Sequence, residues 1–344
     1  MTYKDLFLNS ESESNTDMDI LTLALDKGYV GRFLFTDKII DNAINKLKNL
    51  EEHSENLAEE CANILEQIPD FHIQVNKNHK NYIKRIKNQI DVGSNLNEST
   101  QNWQGIKTDN TYVLAIKSMP SGEWAGLNEF LFEAVQHATK IVIDLRDNEG
   151  GDSTMGIKIV ETLAGQKVAS PYSEVIRYNT PEALVMWINT LQKFMLTSNE
   201  QAKVILQKYL NKAEKDLNRA LTQKHQQKVI KTKYEDSNIP ILDPTKIFEG
   251  RILILQNSKT MSAAENMIDH FEYLPNVLKI GTKTYGCVQS GNIGFLILPK
   301  SKIAIQMATQ FTTYKDNRIS EGIGVEPDIA LENGIDAYRY ALTL

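Results

Sequence analysis

The run KIVIDL, residues 140–145, restricts the fold more than any other stretch. It is too short for an ordinary helix, and its consecutive apolar positions demand cover on both faces, which is the mark of a strand inside a buried sheet. YVLAIKS (112–118), RILILQN (251–257), the segment from Leu278 to Ile280, GFLILP (294–299) and KIAIQMA (302–308) have the same texture. Between them, WAGLNEFLFEAVQHA (124–138), MGIKIVETLAG (155–165) and the stretch from Ala263 carry helical spacing. Short apolar strands alternating with helices predict an α/β architecture with a largely buried sheet.

Other parts of the chain fall outside that alternation. Residues 1–18 are polar and acidic and read as a flexible tail. Residues 19–75 read as an N-terminal helical domain, with Phe33, Ile40, Ile44, Leu47, Leu57, Cys61 and Leu65 at helical steps and Pro69 as a stop. Residues 76–110 read as a linker, and residues 111–344 as the α/β core. Within that core, residues 172–237 carry two further helical stripes, Leu184-Trp187-Ile188-Leu191 and Leu206-Leu210-Ala213-Leu217-Leu221. With LTSNEQ as the turn, they predict an inserted helical hairpin.

Bulk properties narrow the function. A net charge of −6 argues against general nucleic-acid binding, which needs a basic face. No apolar run approaches the roughly 18 residues of a membrane span. Cys61 and Cys287 stand far apart, so neither a disulfide framework nor a CxxC metal site is readable. The N-terminal residues lack the basic and apolar regions of an export signal, so a cytoplasmic setting is preferred to an exported one.

Two loops can carry chemistry. In SKTMSAAENM (258–267), Ser262 and Glu265 form a capping-box pattern where a strand-like run gives way to a helix. The same placement suits a nucleophile, because the hydroxyl projects at the positive end of the helix and the Ala263 N–H can face an oxyanion. In IVIDLRDNEGGDS (141–153), a buried strand runs into paired glycines, which let backbone N–H groups approach an anion. The acids Asp144, Asp147, Glu149 and Asp152 lack EF-hand spacing.

Taken together, LRDNEGG, KTMSAAE and GIGVEPDI (322–329) resemble, in order, the motifs of the tail-specific, or C-terminal-processing, serine peptidase family, which includes the tricorn core. The resemblance spans residues 111–165 and 250–330, and residues 19–75 more weakly. It implies a core like that of crotonase and Clp folds, with Ser262 as nucleophile and Gly151 joining Ala263 in the oxyanion hole. One branch of the family uses a lysine twenty-five residues after the serine, and Cys287 occupies that place here. The tricorn-like branch uses histidine and glutamate, which implies His72 in PDFHIQV as base and Glu321 in SEGIGVEPD as its orienting partner. Taken alone, His72 reads as a surface histidine following a helix stop, and the resemblance reverses that reading. Phe71 stands where that branch has a serine, with Ser320 as an alternative bridging hydroxyl.

The interval from His72 to Tyr112 is too short for a PDZ module. The implied activity is peptide-bond hydrolysis through an acyl-enzyme on peptides or unfolded proteins, with no metal or organic cofactor. A protein partner at the hairpin is a further expectation. The alternative is a catalytically inactive member that binds an apolar ligand or a protein.

Overall fold

The computed structural model describes residues 16–83, 101–198, 200–222, 229–234 and 242–344. Most of the expected tail, part of the expected linker and the end of the hairpin segment lie outside these residues. The chain divides into two compact units, each assembled from three stretches of sequence.

The first unit comprises residues 1–86, 173–233 and 289–313. Its helices α1 (Asp17–Lys27), α2 (Asp37–Leu47) and α3 (Leu57–Leu65) form where the sequence places caps and apolar stripes. Thr16 and Asp19 make a reciprocal capping box on α1, and Ile40, Ala43, Ile44 and Leu47 give α2 one buried face. These faces pack with Val75, Leu296, Ile305 and Met307 from a sheet. Its order is β2 (Lys80–Asn81), β1 (Gln74–Lys77), β11 (Ala304–Tyr314), β6 (Tyr172–Tyr178), β7 (Val229–Lys233), and β10 (Ser290–Ile297) also pairs with β11. The hairpin helices α6 (Pro181–Thr197) and α7 (Glu200–Thr222) close on each other through Leu184, Ile188, Leu191, Leu210, Ala213 and Leu217. The chain enters and leaves this hairpin through β6 and β7, which pair antiparallel.

That arrangement corrects the linear division. The hairpin belongs to the first unit, where Met186 of α6 sits in the N-terminal core and Asn189 Nδ2 donates to Phe295 O of β10 at 2.8 Å. Two strands counted with the α/β core, β10 and β11, belong to the first unit as well. The stretch 76–110 holds the end of β1, then β2 and β3 (Trp103–Thr108). The physical reason is that alternation marks a strand, whereas its partner is chosen by register and burial far along the chain.

The second unit contains the parallel sheet, in the order β12 (Ile329–Ala330), β9 (Val277–Gly281), β8 (Arg251–Gln256), β5 (Lys140–Asp144), β4 (Thr111–Ile116), β3. Only the β3–β4 pair is antiparallel. Leu114, Ile116, Ile141, Ile143, Ile252 and Ile254 face three helices, α4 (Leu127–His137), α5 (Thr154–Ala164) and α8 (Ala263–Phe271). On the other face Val113, Val142, Leu253 and Leu255 meet Ala337 and Ala341 of α9 (Ala337–Thr343). Complete burial of such side chains contributes about 1.5–3 kcal/mol each, which explains the apolar runs. The loops after β5, β8 and β9 leave the carboxyl ends of parallel neighbours, where open α/β sheets place ligands. Among the described residues, no helix is long and apolar enough to cross a membrane.

Candidate active site

The loop after β5 is built on buried charge. Arg146 is 2% exposed and makes ion pairs at 2.7 Å with both Asp144 and Asp336. Burial opposes its charge, but the hydrogen bond and proximity of Asp144, with Asp336, hold its pKa above the ordinary value. Asn148 then shapes the turn: its Nδ2 donates to Ile116 O and its Oδ1 accepts from the Gly150 N–H, each at 2.8 Å.

This loop is laced to the one carrying Ser262. Leu145 N–H donates to Leu255 O, Met261 N–H donates to Asn148 O, and Thr260 Oγ1 donates to Leu145 O, each at 2.9 Å. The Asn257 side chain adds two more bonds at 3.0 Å, its Oδ1 accepting from the Asp147 N–H and its Nδ2 donating to Asp147 Oδ1. Two motifs more than a hundred residues apart thus form one surface.

Ser262 is partly exposed at the N-terminus of α8, with φ 53° and ψ −114°. An ordinary N-cap has extended backbone, as Thr16 does at φ −78° and ψ 162°. The Ser262 conformation is sparsely populated for a side chain with a Cβ and persists only when its surroundings enforce it. Glu265 supplies that enforcement from full burial. Its carboxylate accepts from Ser262 N–H at 2.9 Å, Thr284 Oγ1 at 2.5 Å, Gly286 N–H at 2.7 Å and Cys287 N–H at 2.9 Å. The sequence identified Glu265 only as the partner of a cap.

The glycine pair meets the serine closely. Gly150 has φ +85°, and a Cβ there would come within 2.9 Å of both the Ala263 N and the Ser262 Cβ. Gly151 has φ +140° and is exposed, and a Cβ there would lie 2.1 Å from Met119 O. Met119 bridges this strand-like segment through Gly150 O and the Asp152 N–H, which leaves the Gly151 N–H out of that exchange. Gly151 thus follows the glycine packed against Ser262, and Ala263 is the first residue of α8, next to Ser262 in sequence.

Glu321 is 3% exposed and sits in the same unit. Gly322 N–H donates to Gly286 O at 2.8 Å, and Val325 N–H donates to Thr284 Oγ1 at 2.7 Å, so the third motif rests on the loop that Glu265 holds. Ser320 Oγ donates to the Tyr314 hydroxyl at 3.1 Å. Cys287 is 3% exposed, and Lys283, off the motif position, is ion-paired with Glu326.

His72 belongs to the first unit and is 8% exposed. It follows α3 and precedes β1, and Gln306 Nε2 of β11 donates to its carbonyl at 3.1 Å. The fully buried Asp70 receives the His72 N–H and the Tyr29 hydroxyl, each at 2.8 Å, and lies 3.7 Å from His72 Nδ1. Sequence reasoning took Asp70 only as part of a motif and gave no role to Asp144, Asp336 or Asn257. Asp336 and Asn257 act on Arg146 and Asp147 across the fold, which spacing in sequence does not signal, whereas Asp70 and Asp144 each bond a residue two places on.

The family model for peptidase family S41 matches residues 110–331, more than half of the chain. Among solved structures, the chain is similar to a candidate peptidase from Parabacteroides merdae, with 12% identity over 95% of this chain and 93% of that one and a TM-score of 0.60. It is also similar to mature CPAF, with 12% identity, 92% of each chain covered and a TM-score of 0.52. These likenesses concern the fold. The tricorn protease aligns with 68% of this chain and 17% of its own at 18% identity, with a TM-score of 0.35. Among curated proteins, none matches the chain in sequence.

Proposed function

Because the chain belongs to peptidase family S41, we propose that it hydrolyses peptide bonds as a serine peptidase, with Ser262 as nucleophile, His72 as base and Glu321 as the carboxylate that orients the imidazole. Ser262 Oγ attacks the scissile carbonyl carbon while its proton passes to the His72 ring. The carbonyl π electrons move onto oxygen, where the N–H groups of Gly151 and Ala263 receive the negative charge. Collapse breaks the C–N bond, and the leaving amine takes the proton from His72. Water then gives a proton to His72 and attacks the acyl ester, and as the bond to Oγ breaks His72 returns that proton to Ser262, which releases the acid. Each oxyanion donor is worth roughly 3 kcal/mol of transition-state stabilisation in sites of this kind.

The observation that carries this reading is the Ser262 backbone at φ 53° and ψ −114°, with Gly150 packed against it. A serine needed only as a cap has no use for that strain. Substrates are peptides or unfolded proteins, the class that the family implies.

Ser262→Ala tests it. Hydrolysis of a fluorogenic peptide should fall at least about 10³-fold, the scale on which a removed nucleophile is read. The fold should remain, with about 1 kcal/mol lost from the cap. His72→Gln should be equally inactive and equally folded. A fluorophosphonate should label the wild type at Ser262 and neither variant. Phe71 and Cys287, at places the active branches fill with serine or lysine, favour one rival, an inactive member that binds an apolar ligand or a protein. A folded wild type left unlabelled by the probe would decide for that rival.

A further inference from the structure

Helix α8 carries a second buried carboxylate one turn beyond Glu265, Asp269, which is 1% exposed. Its Oδ2 receives two tyrosine hydroxyls, Tyr314 at 2.6 Å and Tyr172 at 2.7 Å. Behind each tyrosine stands another donor. Ser320 Oγ donates to the Tyr314 hydroxyl at 3.1 Å, and Asn266 Nδ2 donates to the Tyr172 hydroxyl at 3.0 Å. Arg318 closes the outer side, with Nη2 at 3.4 Å from Asp269 Oδ1 and 2.8 Å from Glu272 Oε2, and its guanidinium 4.1 Å from the Tyr314 ring centre.

The two branches have different destinations. Tyr172 leads back to α8 itself through Asn266. Tyr314 leads to Ser320, the residue before Glu321. On the other side of Glu321, Gly322 is bonded to Gly286, which Glu265 holds. Glu321 is therefore tied on both sides to the helix that starts at Ser262. One tie runs through Gly286 and Glu265, the other through Ser320, Tyr314 and Asp269. Whether as a carboxylate oxygen or as the C=O oxygen of a carboxyl, Asp269 Oδ2 only accepts, so it fixes the Tyr314 hydroxyl as a donor towards α8 and leaves its lone pairs to Ser320. Without that acceptor the hydroxyl can turn round and the segment before Glu321 loses its register.

We propose that Asp269 is a positioning residue for the hydrolytic reaction, holding Glu321 in place relative to Ser262 through Tyr314 and Ser320. The inference rests on the serine-peptidase reading. Misplacement of a reacting group by about 1 Å can cost 10²-fold in rate.

The experiment compares the two tyrosines. Tyr314→Phe should lower kcat about 10-fold or more with KM changed less than about twofold, because the group acts on the chemical step and not on substrate binding. Tyr172→Phe removes an equally buried hydroxyl bonded to the same oxygen and should keep kcat within about twofold. Asp269→Leu should match Tyr314→Phe, and the double variant should be no slower than the worse single one, since both act along one path. Asp269→Asn, which keeps an oxygen acceptor, should restore most of kcat. If Asp269→Leu fails to fold, the tyrosine pair still decides. Equal kcat values for Tyr314→Phe and Tyr172→Phe overturn the inference. In that outcome, fluorophosphonate labelling of Ser262 in all folded variants leaves the serine reading standing, whereas an unlabelled wild type removes both.

Discussion

Asp269 is also where pH enters the stability of this protein. Burial raises its pKa to about 7, hydrogen bonds from Tyr314 and Tyr172 oppose that rise, Glu272 adds to it and Arg318 reduces it. His270, the next residue, faces Tyr172 edge-on at 5.8 Å between centroids. In the unfolded chain an aspartate titrates near 3.9. The folded state therefore keeps a proton that the unfolded state releases. The stability this contributes is complete below about pH 4 and is lost as the pH rises through about 7. Asp269→Asn cannot titrate, so its Tm should fall less than that of the wild type between pH 5 and 8, by on the order of 5 °C. Thermal melts at four pH values check this, and parallel curves would refute it. Ser262 was legible at this scale because a capping box and a nucleophile site share local chemistry. Asp269 was not, because its partners lie far away in sequence.

At the scale of elements, α8 organises the candidate site. Its first turn presents Ser262, and its buried face carries Glu265 and then Asp269. Glu265 accepts three backbone N–H groups and one hydroxyl; the bond from Ser262 is part-buried and the other three are buried. Glu265→Ala would strand those donors, at about 1–3 kcal/mol for each one that water cannot reach. A total loss of about 3–5 kcal/mol is expected, together with the loss of activity. Glu265→Gln keeps one accepting oxygen and should lose roughly half as much. Urea unfolding midpoints measure both; a Glu265→Ala midpoint within error of the wild type would show that Ser262 and the 284–287 loop are held by something else. The helix itself was readable from its caps and apolar spacing, and the strands from their unbroken apolar runs.

At the scale of the whole molecule, the two ends of the hairpin differ. Met186 and Asn189 tie the base of α6 into the first unit, so removing the full hairpin would dismantle that core. Its far end is different. Phe194, Leu196, Val204, Ile205 and Tyr209 are exposed, and Leu196 is 85% exposed. Replacing residues 194–209 with a short Gly-Ser linker should therefore leave Tm within a few degrees, as expected when little buried apolar surface is lost. If the hairpin limits access, the truncated protein should cleave casein faster relative to a short peptide, by about threefold or more when lid opening gates turnover. An unchanged ratio would end the lid idea and leave partner docking as the use of those side chains.

The sequence by itself determined the features that depend on neighbours a few residues apart. These are the parallel strands, their intervening helices, a serine at a strand-to-helix junction and glycines after a buried strand. Three motifs in a fixed order then pointed to a peptidase. Only the tertiary structure decided which distant segments meet. It paired residues 304–306 with β1, and so assigned β10, β11 and the hairpin to the first unit. It also pressed Gly150 against Ser262 and gathered four donors on Glu265 and two tyrosines on Asp269. Such contacts are selected by burial and by the need to satisfy every buried polar group, and those constraints exist only once the chain has closed on itself.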